Sequence, residues 1–310
     1  MSESLDPRSW VRRRVRTVYE RLLAREVSGA PTHVAVIQDG NRRYAREQGD
    51  GPRAGHRAGA ETTRQMVEWC AELGVEELTL YAFSTENFDR PRAEREHLFD
   101  LVAEKLREFA DLEKVHEEEV RIRAIGDIER LPPRVQDAVA YAQRRTRDYD
   151  AFALNVALAY GGRDSLLRAT RRVARRVQRG DLDPSAVDVG TVERHLHGDE
   201  VRDVDLIIRT GGDERTSNFL PWHANGNEAA VFFCAPYWPE FSKVDFLRGI
   251  RTYQSRTESW RRTRALRARA ILAAIGNAEL AEARAVFDRF REHLPDGAVA
   301  TPPDPDEHLD

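Results

Sequence analysis

The sequence predicts an α/β fold built on a mostly parallel six-stranded sheet flanked by helices. Six short β-rich runs recur along the chain: HVAVIQD (33–39), LTLYAFS (78–84), VRIRAIG (120–126), FALNVALAY (152–160), DLIIRT (205–210) and AAVFFC (229–234). Most are nearly continuous apolar stretches, which is typical of strands covered on both faces. Longer helical segments separate most of them, and this alternation indicates a parallel sheet with helices on both sides.

The segments between the strands carry helical signals. The clearest are AGAETTRQMVEWCAELG, RAEREHLFDLVAEKLREFADLEKV and PPRVQDAVAYAQRRTRD. In the first, small and apolar side chains from Ala60 to Cys70 recur at helical spacing. Gly74 is expected to end that helix, because glycine readily adopts the left-handed conformation found just after helices.

Extensions are expected on both sides of this core. Residues 1–29 are predicted to form an N-terminal amphipathic helical extension, which could pack on the domain or lie on a membrane surface. Residues 30–252 form the predicted central domain, and 253–294 a C-terminal helical extension. The tail at 295–310 is rich in Pro and Asp and is expected to be disordered.

Composition narrows the class of protein. The 310 residues contain 49 Lys+Arg and 53 Asp+Glu, a formal net charge of −4, so no overall basic field indicates a nucleic-acid partner. Cys70 and Cys234 belong to no metal-binding pattern, which favours a reducing compartment. The charged N-terminus does not resemble a signal peptide, and no apolar run is long enough to span a membrane. We expect a cytoplasmic protein, with any membrane contact peripheral.

Four polar clusters directly follow predicted strands. They are QDGNRR, FSTENFDRP, AYGGRD and RTGGDERTSN. Ligands of open α/β sheets bind beyond the carboxyl ends of the strands. The four clusters are therefore expected to face one crevice.

The cluster RTGGDERTSN has the composition of an oxyanion cradle. Arg209 ends a strand, and the glycine pair is expected to let backbone N–H groups approach a ligand. Arg215 and Ser217 are expected to open a helix beyond it. Guanidinium groups match phosphate oxygens, although a glycine turn with surface arginines has the same composition.

The cluster QDGNRR adds a carboxylate. Asp39 ends the first strand, and a basic helix is expected to begin directly after it. A carboxylate among arginines is either an ion pair or a magnesium ligand shared with a phosphorylated substrate. Magnesium commonly takes only one or two protein carboxylates, so a single aspartate suffices. No GxxxxGK[ST], GxSxG or HExxH motif offers another chemistry.

Seven blocks resemble, in order, the signature of the cis-prenyltransferase family, which includes undecaprenyl diphosphate synthase. They are HVAVIQDGNRRYA, GHRAGAE, LTLYAFSTENFDRP, IGD, LNVALAYGGRD, DLIIRTGGDERTSNFLPW and YWPEF, and the resemblance covers about residues 30–252. It implies a Mg²⁺-dependent homodimer that condenses isopentenyl diphosphate onto an allylic diphosphate, farnesyl or geranylgeranyl. It also implies a hydrophobic tunnel and a long polyprenyl diphosphate product, a precursor of a glycosyl carrier lipid.

The resemblance further implies roles for individual residues. Asp39 matches the essential aspartate that works with magnesium, and Glu228 matches a second acidic metal-site position. Ser84 and Asn87 match a loop implicated in substrate placement and proton removal. The proton acceptor stays open among Asp39, the Ser84 and Asn87 pair, and the released pyrophosphate.

The remaining candidates are expected to bind substrate. Those matching the isopentenyl diphosphate site are Arg209, Arg215 and Ser217. Those matching the region of the allylic diphosphate are Asn41, Arg43, Arg53 and His56. The same blocks add Gly40, Arg42, Tyr44, Thr85, Phe88 and Arg90.

This chain departs from the family pattern in places. Gln38 stands where the family usually has Met, and Arg42 where bacterial members usually have Gly. Asp213 replaces a usual Glu. The segment HANGN, before Glu228, replaces an apolar helix turn near the usual dimer contact.

Two rival hypotheses come from other classes. A non-catalytic family member acting as a partner subunit would typically lose the site residues, whereas Asp39, Arg209 and Arg215 are all present. Nucleic-acid binding through the terminal arginine-rich helices rests on local charge only. We expect no nucleic-acid partner.

Overall fold

The structure, a computed structural model, describes residues 20, 21, 23–27, 29–197, 202–224 and 229–274. Its centre is one sheet of six strands: β1 (His33–Ile37), β2 (Glu77–Tyr81), β3 (Val120–Gly126), β4 (Phe152–Leu158), β5 (Leu206–Arg209) and β6 (Ala230–Phe233). Their order is β3-β4-β2-β1-β5-β6, and every neighbouring pair is parallel. The predicted fold class is confirmed.

The described helices connect and cover the strands. They are α1 (Asn41–Glu47), α2 (Pro52–Leu73), α3 (Arg92–Asp111), α4 (Glu113–Glu117), α5 (Pro133–Arg145), α6 (Gly162–Gln178), α7 (Val189–His197) and α8 (Lys243–Ala274). A 3₁₀ turn at Thr85–Asp89 lies between β2 and α3.

Two helix boundaries show how local backbone preferences act. Gly74 ends α2 with φ 77°, and its N–H bonds to the carbonyl of Ala71, as predicted. The segment expected to form one helix from residue 92 onward is divided at Leu112, whose φ of −63° and ψ of 129° are extended. That one residue separates α3 from α4.

Burial follows position in the sheet. The central strands β1 and β5 are buried along their whole length, whereas the edge strand β3 alternates between buried and half-buried residues. Parallel strands covered on both faces need this continuous apolar character. The chain passes from β1 to β2 on one side and later returns to β5 on the other, so β1 and β5 flank the topological switch point.

A polar network is buried towards the amino ends of strands β1, β2 and β4. The imidazole of His33 lies 2.7 Å from the hydroxyl of Thr79, which accepts a 3.0 Å bond from the amide of Asn155. The same amide donates to Glu77 at 2.5 Å. These bonds offset part of the cost of removing polar groups from water, although Oδ1 of Asn155 is buried with no hydrogen-bond partner among the described residues.

The chain divides into two compact units, Met1–Ile250 and Arg251–Asp310. In the first unit, Leu23 packs against Val244 and Leu247, so the end of the predicted N-terminal helix contacts the start of α8. The described part of the second unit, residues 251–274, is helical. Most of the predicted N-terminal helix, the part of the predicted C-terminal extension beyond residue 274, and the tail at 295–310 lie outside the described residues. Among the helices that are described, none is long and apolar enough to cross a membrane.

Candidate active site

Asp39 and Arg209 meet where β1 and β5 end. One carboxylate oxygen of Asp39 accepts a 2.7 Å bond from Nη2 of Arg209, and the other accepts a 2.7 Å bond from the N–H of Gly40. The hydroxyl of Thr210 donates to the carbonyl of Asp39 at 2.7 Å and accepts from its N–H at 3.0 Å. The two strand ends are therefore fixed to each other beside the carboxylate.

Arg209 links this carboxylate to the loop that follows β5. Its side chain is only 3% exposed. Nη1 donates to the carbonyl of Arg215 at 2.6 Å and lies 2.5 Å from the hydroxyl of Ser217. A buried guanidinium with several bonds has little freedom, so Arg209 positions both Asp39 and Ser217.

Three further charged side chains lie next to the pair of Asp39 and Arg209. Nη2 of Arg43 is 3.3 Å from Asp39 and 3.8 Å from Asp213. Asp213 also lies 3.2 Å from Arg215, whose side chain is 67% exposed. The three arginines outnumber the two carboxylates, so the cluster keeps an excess of positive charge facing solvent. Such a cluster suits a diphosphate.

The carboxyl of Asp39 stays ionised. Burial by itself would raise its pKa, but the hydrogen bond and the charge of Arg209 oppose burial. The N–H of Gly40 and the charge of Arg43 act in the same direction as Arg209, and the net result is a lowered pKa. An ionised oxygen donor at this position suits a hard cation.

The glycine pair does not form the predicted cradle. Gly211 and Gly212 both have positive φ, 84° and 78°. Their N–H groups donate to the carbonyls of Pro236 and Cys234, at 2.7 and 2.9 Å. The expectation that these N–H groups approach a ligand is wrong, because the segment after β6 already occupies them. The glycines serve a tight turn, and the arginine side chains remain the predicted contacts for an anion.

The expected helix after Arg215 and Ser217 is also wrong. Residues 211–224 form turns and irregular structure without a helix. Three residues other than glycine adopt left-handed backbone there, Ser217, Asn218 and Leu220, with φ of 47°, 60° and 46°. Left-handed conformations do not continue a right-handed helix.

Gly40 makes the turn from β1 into α1. Its φ of 99° is left-handed, and a Cβ there would lie 2.5 Å from Cδ1 of Tyr237. The ring of Tyr237 lies 5.3 Å below the guanidinium of Arg43, and its hydroxyl donates to Glu47 at 2.6 Å. Only glycine fits this close approach, which brings Asn41 directly to the start of the helix.

A second group of charges lies around His56 on α2. Glu94 accepts a 2.8 Å bond from Arg90 and lies 3.6 Å from Arg42, so it joins the start of α3 to α1. Burial, followed by the charge of Arg90, lowers the pKa of His56 to about 4. His56 is therefore neutral near pH 7 and can donate or accept a hydrogen bond without adding charge.

The candidate loop at 84–89 stabilises its own turn. The side chain of Ser84 accepts from the N–H of Asn87, and the side chain of Asn87 accepts from the N–H of Ser84 at 3.1 Å. The N–H of Thr85 donates to the carbonyl of Tyr160, which ties the turn to the end of β4. Phe88 packs on Phe83 with ring centroids 5.0 Å apart. These contacts give the loop a fixed position, and the catalytic roles of Ser84 and Asn87 stay predictions.

Two other predicted site residues differ in burial. Tyr44 is half-buried on α1, whereas Arg53 is exposed in the first turn of α2. The charge of Arg53 acts on His97, whose pKa is lowered first by burial and then by this arginine. Glu228 lies outside the described residues.

An apolar cavity of about 240 Å³ lies between α2, α3 and the sheet. Its walls come mainly from aliphatic residues of α3 and strands β2, β3 and β4, among them Leu80, Leu98, Leu101, Val102, Ile122, Leu154 and Val156. The lining also includes Gln38, Asn41 and His56. Gln38 and Asn41 flank Asp39 and Gly40 in sequence, so the cavity adjoins the charged cluster. It corresponds to the hydrophobic tunnel expected with this fold.

Polar side chains for which the sequence predicted no role adjoin the cavity. Gln38 donates to the hydroxyl of Thr63 at 2.7 Å, and this hydroxyl donates to the carbonyl of Gly59 at 2.9 Å. Trp238 donates to the same carbonyl at 2.7 Å. The glycine spacing in GHRAG was a usable signal, because a Cβ on Gly59 would overlap Asn41. The contact of Glu94 with Arg42, which joins α3 to α1, left no local signal in the sequence.

A cluster of arginines and an ionised carboxylate beside an apolar cavity defines an enzyme site for a long apolar substrate with an anionic head group. The family model described as putative undecaprenyl diphosphate synthase matches residues 37–261. The chain belongs to this family of prenyltransferases, the cis-prenyltransferases.

Named relatives agree with that assignment. The chain is 68% identical over 279 residues to the tritrans,polycis-undecaprenyl-diphosphate synthase (geranylgeranyl-diphosphate specific) of Halobacterium salinarum, covering 90% of this chain and 92% of the relative. It is 48% identical over 254 residues to the protein of the same name from Methanosarcina mazei, covering 80% and 85%.

A solved structure agrees as well. Lavandulyl diphosphate synthase from Lavandula x intermedia, in complex with dimethylallyl diphosphate, has a TM-score of 0.67 and 31% identity, covering 73% of this chain and 95% of that one. The prediction of a cis-prenyltransferase is confirmed. Because the names of the relatives include different products, the fold alone does not determine the product.

Proposed function

We propose that this chain condenses isopentenyl diphosphate repeatedly onto geranylgeranyl diphosphate, forming a cis double bond at each step. The product is a long polyprenyl diphosphate that serves as a precursor of a glycosyl carrier lipid. The observation that carries the proposal is the apolar cavity adjoining the cluster of Asp39 and Arg209. A diphosphate bound at the cluster can extend its hydrocarbon chain into the cavity.

Similarity supports geranylgeranyl diphosphate as the starter in preference to farnesyl diphosphate. The archaeal relatives carry geranylgeranyl specificity in their names, and they match most of this chain. A direct competition between the two starters tests this choice. We expect the product from equal concentrations to carry mainly the geranylgeranyl end, and a farnesyl end in most chains would overturn it.

The diphosphate of isopentenyl diphosphate is assigned to Arg209, Arg215 and Ser217. Arg209 is fixed by its bonds, and Arg215 is exposed and can close on the ligand. Asn41, Arg43, Arg53 and His56 are assigned to the allylic diphosphate, and Arg42 and Arg90 lie near them through their shared partner Glu94. Positive charge is required there because negative charge develops on the departing pyrophosphate.

The carboxylates of the cluster fit magnesium. Asp39 offers ionised oxygen beside solvent, and Asp213 lies 3.3 Å from the same nitrogen of Arg209 that bonds Asp39. No group of three or more potential metal ligands occurs within the described residues, and a magnesium ion shared with diphosphates needs no such group. Magnesium, when bound, neutralises charge on the diphosphates. Glu228 remains a proposed second ligand.

Proton removal is assigned to groups near the reacting carbons. Asp39 stays ionised and can accept a proton, whereas the mutual bonds of Ser84 and Asn87 favour a role in placement. Released pyrophosphate is the third candidate. A kcat profile against pH that loses its acidic limb in Asp39→Asn would assign the step to Asp39.

The assembly and location rest on the family resemblance. We propose a cytoplasmic homodimer that contacts membranes peripherally, since a long polyprenyl product partitions into lipid. Sedimentation of the pure protein tests the dimer. Vesicle flotation with and without residues 1–28 tests whether the N-terminal segment mediates the contact.

A non-catalytic partner subunit is the second candidate. Loss of the charged cluster would support this hypothesis, but Asp39, Arg209 and Arg215 are all present. Arg209 bonds both the carboxylate of Asp39 and the backbone carbonyl of Arg215. Turnover by the pure chain separates the two hypotheses. Incorporation of labelled isopentenyl diphosphate without another protein would support the enzyme, and activity only after a second subunit is added would support the partner role.

A further inference from the structure

The start of α6 depends on a residue from a distant loop. No side chain within the helix caps it, and Gly161 stands at the capping position. The N–H of Gly162 donates to the carbonyl of Asn218 at 2.9 Å, and the N–H of Arg163 donates to its side-chain Oδ1 at 3.0 Å. Asn218 therefore satisfies two helix N–H groups from a position 55 residues away in sequence.

The backbone around Asn218 is strained. Ser217, Asn218 and Leu220 have φ of 47°, 60° and 46°. Asparagine tolerates this conformation better than most residues, whereas serine and leucine rarely adopt it. Such a backbone persists only where its surroundings fix it. The bonds to α6 are one such constraint.

Aromatic packing provides the other constraint. The ring of Phe219 stacks on Tyr81 with centroids 4.5 Å apart and an interplanar angle of 6°. The hydroxyl of Tyr81 donates to the carbonyl of Tyr160 at 3.1 Å and lies 3.5 Å from the carbonyl of Ser217. The strained turn is thus held between β2 on one side and α6 on the other.

The turn carries a proposed ligand of the substrate. Ser217 precedes Asn218 and lies 2.5 Å from Nη1 of Arg209, which in turn bonds the carbonyl of Arg215. We propose that Asn218 is a positioning residue for the isopentenyl diphosphate site: by capping α6 it holds Ser217 in the left-handed conformation that places its hydroxyl beside Arg209. This inference rests on the proposed function of that site.

Two substitutions separate the side-chain bond from the backbone conformation. Asn218→Gly keeps the left-handed conformation and the backbone acceptor but removes Oδ1. Tyr81→Phe keeps the stacking on Phe219 and removes only the hydroxyl. If Asn218 positions Ser217, Asn218→Gly raises the KM for isopentenyl diphosphate about fivefold to tenfold. Tyr81→Phe removes a contact with the carbonyl of Ser217 itself, and we expect a smaller rise.

A matched control tests whether any lost helix cap has the same effect. Asp188 accepts a 2.7 Å bond from the N–H of Thr191 and so caps α7. Asp188→Gly removes a cap by the same substitution outside the charged cluster. We expect it to lower the melting temperature as Asn218→Gly does, while the KM for both substrates stays within twofold of wild type.

The test is steady-state kinetics of the full-length protein and its variants, with each substrate varied in turn. A melting curve is also recorded for each variant. A selective rise in the KM for isopentenyl diphosphate in Asn218→Gly, with an unchanged KM for geranylgeranyl diphosphate, supports the inference. Unchanged kinetics despite a lower melting temperature, or an equal rise for both substrates, overturns it. If the folded wild-type chain forms no product, both the proposed function and this inference are wrong.

Discussion

The carboxylate of Asp39 lies 2.7 Å from Nη2 of Arg209, across the neighbouring strands β1 and β5. This pair joins the two halves of the site, because Asp39 precedes the α1 residues assigned to one diphosphate and Arg209 anchors the loop assigned to the other. Arg209 is almost fully buried, and its bonds to Asp39 and to the loop fix the two halves of the site relative to each other.

Asp39→Asn should reduce condensation on the order of 100-fold to 1,000-fold, as loss of a key electrostatic group does in other enzymes. The amide still accepts a bond from Arg209, so the buried guanidinium keeps a partner and the fold should persist. Initial rates of label incorporation, with melting curves, check this. Near-normal turnover in the folded variant would contradict the role of Asp39.

Arg215→Ala should raise the KM for isopentenyl diphosphate about tenfold to 100-fold, because a hydrogen bond between charged groups contributes about 1.5–3 kcal/mol. Its side chain is exposed, so stability should change little. Arg171→Ala, at an exposed position of α6, is the matched control and should leave the KM unchanged. A selective loss of affinity for the allylic substrate would show that the two sites are reversed.

Val102→Phe should shorten the product. Val102 lines the cavity on α3, and a larger ring there takes up space that the growing chain needs. Because the charged cluster is untouched, the rate of the first condensation should stay within about twofold of wild type. Val189→Phe makes the same change at a residue that is 62% exposed and should leave product length unchanged. Equal product lengths in all three proteins would show that this cavity does not hold the chain.

His56 should make stability fall as the pH drops from about 6.5 towards 4. Burial, with the charge of Arg90, lowers its pKa from 6.5 to about 4, so in this window the unfolded chain binds the proton more readily than the folded one. The free energy of unfolding therefore rises with pH, and His56 accounts for up to about 3 kcal/mol of the change. Urea unfolding of wild type and His56→Gln across this range measures the difference. Parallel curves for the two proteins would refute it.

Much of the fold could be predicted because its signals are local. Buried parallel strands need continuous apolar runs, and polar residues directly after them lie at one edge of the sheet. The prediction that Asp39 and Arg209 lie close together follows from these two signals. The signals could not reveal that Gly211 and Gly212 bond to carbonyls beyond β6, because that contact joins segments distant in sequence.

Contacts between distant segments also explain why the helix predicted after Arg215 does not form. They explain as well why the roles of Asn218, Phe219 and Glu94 could not be predicted. The turn after Arg215 depends on Asn218 capping α6 and on Phe219 stacking on β2, neither of which leaves a signal in RTSNF itself. Glu94 gains its contact with Arg42 only when the fold brings α1 to the start of α3, whereas its pair with Arg90 is local. Individual roles within the site thus depend on tertiary contacts, even where the family and the strand ends follow from the sequence.

The most direct test is product sizing after incubation of the pure chain with geranylgeranyl diphosphate, labelled isopentenyl diphosphate and magnesium. We expect a ladder of long polyprenyl products that disappears when a chelator is added and is nearly lost in Asp39→Asn. A folded wild-type protein that incorporates no label from this starter or from farnesyl diphosphate would contradict it.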